Sequence, residues 1–208
     1  MSNPVYEADR AIQSASQSAT LQQNELLRAV DRTFNWWGGP GVVYFVAVLW
    51  LGGRAIKRSR AALIGLRCAE SLAVSSALSG ILKGLVARAR PFVTPGEPWH
   101  WHMLNSWTDA HNQSMPSGHT TAATAFASAL CVASVRYPKA ARGAMIAAAI
   151  ATVPLVGFAR IYSDQHWLTD VLAGALLGAT TGILLTRWHE RHPRTAFDRV
   201  MLGADRAP

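Results

Sequence analysis

The pattern of apolar and polar positions divides the chain into a polar beginning and five apolar stretches. Residues 5–34 read as a polar helix with one weak apolar stripe: Ile12, Ala15, Ala19, Leu26, Leu27, Val30 and Phe34. That pattern predicts a helix lying on a surface. The apolar stretches follow at about 37–53, 61–82, 119–135, 143–161 and 167–186. Each approaches the ~20 residues that a helix needs to cross a bilayer. The expected fold is all-α: an integral membrane helical bundle of about five transmembrane helices, plus an N-terminal interfacial helix. The expected organisation is an N-terminal helical segment at 1–35, a transmembrane domain at 36–190 and a cytoplasmic tail at 191–208. Trp36 and Trp37 suit a membrane interface. The first stretch is short and glycine-rich, and residues 1–35 hold no apolar run of the signal-peptide kind.

Small residues recur where membrane helices would approach one another. Gly174, Gly178 and Gly182 are spaced by four in the fifth stretch, and Ser71, Ser75 and Ser79 in the second. Rows of this kind let helix backbones come close. Arg67 and Glu70, three apart, are placed to neighbour each other on one helical face.

Composition changes the picture in one respect. Half of the 208 residues are hydrophobic and only 15% are charged, against about 25% in soluble proteins. Cys68 and Cys131 both fall inside apolar stretches and read as small buried residues. The net charge of +8 suggests nucleic acid until its placement is considered. Arg54, Lys57, Arg58 and Arg60 fill the first connection; Arg136, Lys139 and Arg142 follow the third stretch; Arg187, Arg191 and Arg194 follow the fifth. The connection at 92–115 carries no Lys or Arg. The positive-inside rule puts the basic segments in the cytoplasm and the 92–115 loop outside. The charge is then a topology signal, and no nucleic-acid partner is expected.

This topology gathers three polar clusters on the outer side. "KGLVARARP" places Lys83 and Arg90 seven apart, expected on one helix face, with Arg88 off that face as a snorkelling cation and Pro91 ending the helix. "PSGH" places Ser117 and Gly118 at a helix start, whose free N–H groups suit an anion, with His119 next. "ARIYSDQHWLTD" places Arg160, His166 and Asp170 between two apolar stretches, the last two four apart. A carboxylate beside a histidine fixes its tautomer and stabilises its charged form. Three fixed cations, a helix N-terminus, two histidines and a carboxylate amount to a site for a phosphate-sized oxyanion.

Lys-x6-Arg-Pro, Pro-Ser-Gly-His and Arg-x5-His-x3-Asp together resemble the three-part signature of the type 2 phosphatidic acid phosphatase (PAP2) family. That superfamily also holds bacterial acid phosphatases and vanadium haloperoxidases. The motifs cover residues 83–170, and the helical layout extends the likeness to most of 40–187. The resemblance implies that His166 attacks phosphorus and forms a phosphohistidine, that Asp170 orients it, and that His119 protonates the leaving oxygen and then activates water. It implies that Lys83, Arg90, Arg160, Ser117 and the Gly118 N–H hold the phosphoryl oxygens, with no metal and no cofactor. One position departs: the family commonly has Ser before the third-motif Arg, and here it is Ala159. Asp164 lies beside the third motif, as a turn residue or a charge that tunes head-group choice.

The expected activity is hydrolysis of a lipid phosphate or diphosphate at the outer face of a bacterial inner membrane. Undecaprenyl diphosphate, phosphatidylglycerophosphate and phosphatidic acid are the candidate substrates. A phosphotransferase needs the same residues, and a lipid-binding or transport scaffold is the non-enzyme alternative. Soluble haloperoxidases fit five apolar stretches poorly. The loop holding Trp99, Trp101 and Trp107 with His100, His102 and His111 reads as an interfacial entrance for a lipid head group rather than a metal site. Nothing in the pattern fixes an oligomeric state.

Overall fold

The computed structural model describes residues 3–104, 107–136, 138–192 and 195–202. Arg194, one of the expected basic residues of the tail, lies outside the described residues, as do Asn105 and Ser106 of the Trp/His-rich loop. The regular structure of the described residues is helical, apart from a single isolated bridge pairing Arg88 with Trp101. The helices are α1 (Pro4–Ser16), α2 (Ala19–Gln22), α3 (Glu25–Trp36), α4 (Val42–Ala47), α5 (Gly53–Ala55), α6 (Ser59–Val86), α7 (Gly118–Ala133), α8 (Lys139–Tyr162), α9 (Leu168–Arg191) and α10 (Ala196–Leu202).

Among the described residues, three segments are long and apolar enough to cross a membrane: Arg60–Val86, Arg142–Tyr162 and Leu168–Arg191. They match the second, fourth and fifth expected spans. Their outward faces carry large apolar side chains, including Val74, Leu78, Ile81, Ile150, Leu172, Leu176 and Leu184. The third stretch, α7, has 16 residues, or about 24 Å at 1.5 Å per residue. It is the enclosed centre of the bundle, with residues 120–127 all buried. The first stretch is broken into short pieces. Pro40 sits inside the helical path, and Gly39 has non-helical angles (φ −97°, ψ −106°), as expected where a proline removes a donor and crowds the preceding turn.

The glycine row of α9 rests on α7. A Cβ at Gly174, Gly178 or Gly182 would meet the carbonyl oxygens of Ser117, Thr121 and Ala125 at 2.5, 2.3 and 2.7 Å. The serine row of α6 is buried, and Ser71 Oγ lies 3.4 Å from Thr186 Oγ1 of α9. Val42, Val46, Ile64, Cys68, Phe126 and Leu130 fill the apolar core between α4, α6 and α7. At the end of the bundle where α9 finishes, Arg67 pairs with Glu70 at 2.9 Å and with Asp198 of α10 at 2.7 Å. Glu70, His189 and Asp198 also stand close enough together to hold a cation, although Arg67 already pairs with both carboxylates.

Two expectations change. The N-terminal helix is not a free surface helix: Asp9, Gln13 and Ser16 of α1 are buried. Its polar residues reach α8 and α9, with Gln13 Nε2 donating to Asp164 Oδ1 at 3.0 Å and Gln17 Nε2 to the Tyr162 carbonyl at 3.2 Å. Lys83 and Arg90 do not share a helix face. Helix α6 stops at Val86, and Ala87 turns left-handed (φ 46°). The chain then runs alongside the 98–102 loop, with Ala89 N–H donating to the His100 carbonyl and His102 N–H to the Ala87 carbonyl. The helix therefore ends five residues before Pro91.

Candidate active site

The C-terminal ends of α6 and α8 meet the N-terminal ends of α7 and α9, and that junction brings the three motifs together. Ser117 precedes α7, and its N–H donates to the Asp170 carbonyl at 2.9 Å, which locks the second motif onto the third. Ser117 Oγ accepts from Thr120 Oγ1 at 3.0 Å rather than capping its own helix. Gly118 follows, and a Cβ there would lie 3.8 Å from Lys83 Cε and 3.9 Å from Ser79 Oγ, so the first motif borders the second.

His166 stands just before α9, and Asp170 lies in its first turn. Asp170 Oδ2 accepts from the Trp167 N–H at 2.9 Å, capping the helix. His166 Nδ1 lies 3.7 Å from the same oxygen, too far for a direct hydrogen bond. Ser114 bridges them: its hydroxyl donates to Asp170 Oδ2 at 2.5 Å and lies 3.4 Å from His166 Nδ1. Nδ1 thus faces the serine and the carboxylate, leaving Nε2 as the other ring nitrogen. Burial pushes His166 down to about 3, reinforced by the positive charges of Lys83 and Arg160 and opposed by Asp170. The imidazole is therefore neutral at neutral pH.

The cations surround this pair. Lys83 Nζ donates to the Gln113 and Ser114 carbonyls at 2.6 and 3.2 Å, which fixes the loop that carries Ser114. Arg90 donates to the Ala110 carbonyl at 2.9 Å and to Gln165 Oε1 at 2.8 Å. Arg160 donates to Asn35 Oδ1 at 2.6 Å, while its buried Nε has no partner among the described residues. A buried donor left unpaired costs free energy, and an incoming anion would satisfy it. All three cations act electrostatically on His119. The imidazole of His119 also abuts the Gly39 kink: a Cβ at Gly39 would stand 2.8 Å from its Nε2. Ala159 is fully buried beside Arg160 and supplies a methyl group where the family pattern has a hydroxyl.

Several residues around the site were not apparent in the motifs. Arg88 is not a snorkelling cation. It is 1% exposed, and it donates to Asp170 Oδ1 at 2.6 Å and to Asp9 Oδ2 at 2.7 Å. Ser114, Asn35 and Gln165 each hold a motif residue. Asp164 adopts a left-handed turn conformation (φ 56°) and accepts from Gln13. In the loop, Trp99 and Trp107 are exposed, whereas the Trp101 ring also covers the Arg88 guanidinium at 5.0 Å.

Apolar spans converging on buried cations, histidines and a carboxylate define a multi-pass membrane protein. The PAP2 superfamily model matches residues 64–194, and the chain belongs to that family. It is 32% identical over 125 residues to the lipid A 1-phosphatase of Rhizobium etli, covering 58% of this chain and 48% of that protein. It is 31% identical over 160 residues to the lipid A 1-phosphatase of Rhizobium johnstonii, covering 69% of this chain and 59% of that one. The chain thus spans about half the length of these curated relatives. The fold is similar to the crystal structure of a transmembrane PAP2-type phosphatidylglycerolphosphate phosphatase from Bacillus subtilis, with TM-score 0.71, 23% identity, and coverage of 93% of this chain and 90% of that one. It is also similar to Aquifex aeolicus LpxE, with TM-score 0.58, 21% identity, and coverage of 89% and 96%.

Proposed function

We propose that the protein is a metal-independent phosphatase that hydrolyses a lipid phosphate or lipid diphosphate through a phosphohistidine. The observation that carries this reading is the buried, neutral His166, held on its Nδ1 side by Ser114 and Asp170 and faced by Lys83 and Arg160. A neutral imidazole is nucleophilic, and a cation-lined cavity stabilises the charge spread over the phosphoryl oxygens.

In the first step, the Nε2 lone pair of His166 forms a bond to phosphorus while the bond from phosphorus to the lipid oxygen breaks. His119 gives its proton to that oxygen, and the lipid product leaves. In the second step, His119 takes a proton from water, whose oxygen attacks phosphorus. The P–N bond breaks, and phosphate and neutral His166 are released. Asp170 stabilises the positive charge that develops on the ring. Lys83, Arg90, Arg160, Ser117 and the Gly118 N–H hold the oxygens, with Arg160 Nε as the donor awaiting a partner.

A lipid substrate is supported by the surroundings. An apolar cavity of about 300 Å³ is lined by Trp37, Phe45, Leu49, Phe126, Leu130 and Met145, and Trp37 stands two residues before Gly39, which abuts His119. The site lies at the helix ends opposite the basic connections, and the positive-inside rule supports the reading that it faces the outer side of a bacterial inner membrane. The relatives' names add lipid A 1-phosphate to undecaprenyl diphosphate, phosphatidylglycerophosphate and phosphatidic acid as candidates.

The test is phosphate release by purified protein in detergent micelles containing EDTA, across those four lipids, with His166→Ala as control. Release that vanishes in the variant supports the reading, and the order of rates names the substrate. Well-folded protein that releases nothing from any of them overturns it.

A further inference from the structure

Behind Asp170, on the side away from His166, lies a closed network of buried charge. Asp9, Arg88 and Asp170 are each no more than 1% exposed. Arg88 Nε donates to the Pro98 carbonyl at 2.8 Å. One terminal nitrogen donates to Asp170 Oδ1 at 2.6 Å and to Thr169 Oγ1 at 2.7 Å, and the other to Asp9 Oδ2 at 2.7 Å. The Thr169 hydroxyl donates in turn to Asp9 Oδ2 at 2.6 Å, and the Thr169 N–H to Asp9 Oδ1 at 2.9 Å. The Trp101 and Trp167 rings lie 5.0 and 5.5 Å from the guanidinium carbon. Asp9 therefore binds the first turn of α9, where helix geometry favours a negative charge, and shares one guanidinium with Asp170.

Two carboxylates and one guanidinium leave a net negative charge in a region shielded from water. With Asp170 as its only counter-charge, Arg88 would cancel it. With Asp9 present, Arg88 is divided between two anions, and Asp170 keeps more of its influence on the ring it faces. We infer that Asp9, on the first helix and 161 residues before Asp170 in the sequence, is a positioning residue for the reaction. It holds Arg88 so that the Asp170 carboxylate stays oriented and effectively charged beside His166. The polar N-terminal helix is then part of the catalytic apparatus. This rests on the reading of His166 and Asp170 as nucleophile and partner.

Asp9→Asn keeps the shape and the acceptor for the Thr169 N–H and removes the charge. Asp9→Glu keeps the charge and adds a methylene. Steady-state kinetics of both on dioctanoyl phosphatidic acid, beside wild type, His166→Ala and Asp170→Asn, decide the question. The expected result is a kcat about tenfold lower in Asp9→Asn with KM within about twofold. That loss is smaller than the roughly 10⁴-fold seen when a carboxylate touching a catalytic histidine is replaced. Asp9→Glu should recover part of it. The inference is overturned if Asp9→Asn has wild-type kcat, if its loss lies in KM alone, or if Asp9→Glu is as impaired as Asp9→Asn. An active His166→Ala would instead overturn the underlying reading of the site.

Discussion

The Ser114 hydroxyl donates to Oδ2 of Asp170 at 2.5 Å, and the same oxygen atom of Ser114 lies 3.4 Å from Nδ1 of His166. A hydroxyl has one proton to give. Donated to the carboxylate, it leaves the serine oxygen to accept from Nδ1–H, which fixes the tautomer with an unprotonated Nε2. Ser114→Ala should lower kcat about tenfold with little change in KM, while Asp170→Asn should cost at least ~10²-fold. Steady-state kinetics on a short-chain lipid phosphate check both. Equal losses in the two variants would contradict the order of roles.

Burial of His166 links stability to pH. Its value in the folded protein is about 3, against roughly 6.5 unfolded. Below pH 6.5 the unfolded chain binds a proton that the folded chain does not, so folding is weakened as pH falls from 6.5 towards 3. Above 6.5 the contribution to stability is fully present. The Tm of wild type minus that of His166→Ala, in one detergent, should therefore fall as pH drops from 7 to 4. A difference independent of pH would contradict a buried neutral imidazole.

Arg160 presents a guanidinium with one bond to Asn35 and a buried Nε without a partner among the described residues. Lys at this position keeps the charge and loses the planar fork. Arg160→Lys should lower kcat/KM about 10²-fold, within the range for losing a preorganised donor to a developing oxyanion. It should also weaken inhibition by orthovanadate. Unchanged vanadate inhibition would remove Arg160 from the phosphoryl site.

The α7–α9 contact tolerates no side chain at Gly178, where a Cβ would meet the Thr121 carbonyl oxygen at 2.3 Å. Gly178→Val should destabilise the bundle by about 1–3 kcal/mol, as overpacked cores do, and lower its Tm. Gly143→Ala meets nothing within 4 Å and should melt as wild type does.

Much of the architecture was legible because membrane burial imposes long, simple patterns. The runs of apolar residues located α6, α8 and α9, and the four-residue spacing of Gly174, Gly178 and Gly182 located the face that meets α7. The motif order placed Lys83, Ser117, Arg160 and Asp170 at one end of the bundle. Local geometry was less legible. Seven-residue spacing put Lys83 and Arg90 on one helix face, but the left-handed Ala87 ends the helix between them, and the strand-like contact with residues 100–102 is not written in any periodicity. Arg88 and Asp9 were missed for a related reason. A polar helix reads as solvent-facing unless its partners are known, and the partners of Asp9 lie 79 and 160 residues away. Ser114 stands two residues before a motif and owes its importance entirely to where the loop folds.

The central claim is a covalent bond between His166 and phosphorus. The most direct measurement is rapid quenching of wild type and His166→Ala after mixing with ³²P-labelled lipid phosphate, followed by tests of the stability of any labelled protein to acid and to alkali. The account predicts a transient label on wild type that is acid-labile and alkali-stable and is absent from His166→Ala. Turnover by wild type without any labelled protein, or an equal label on His166→Ala, would contradict it.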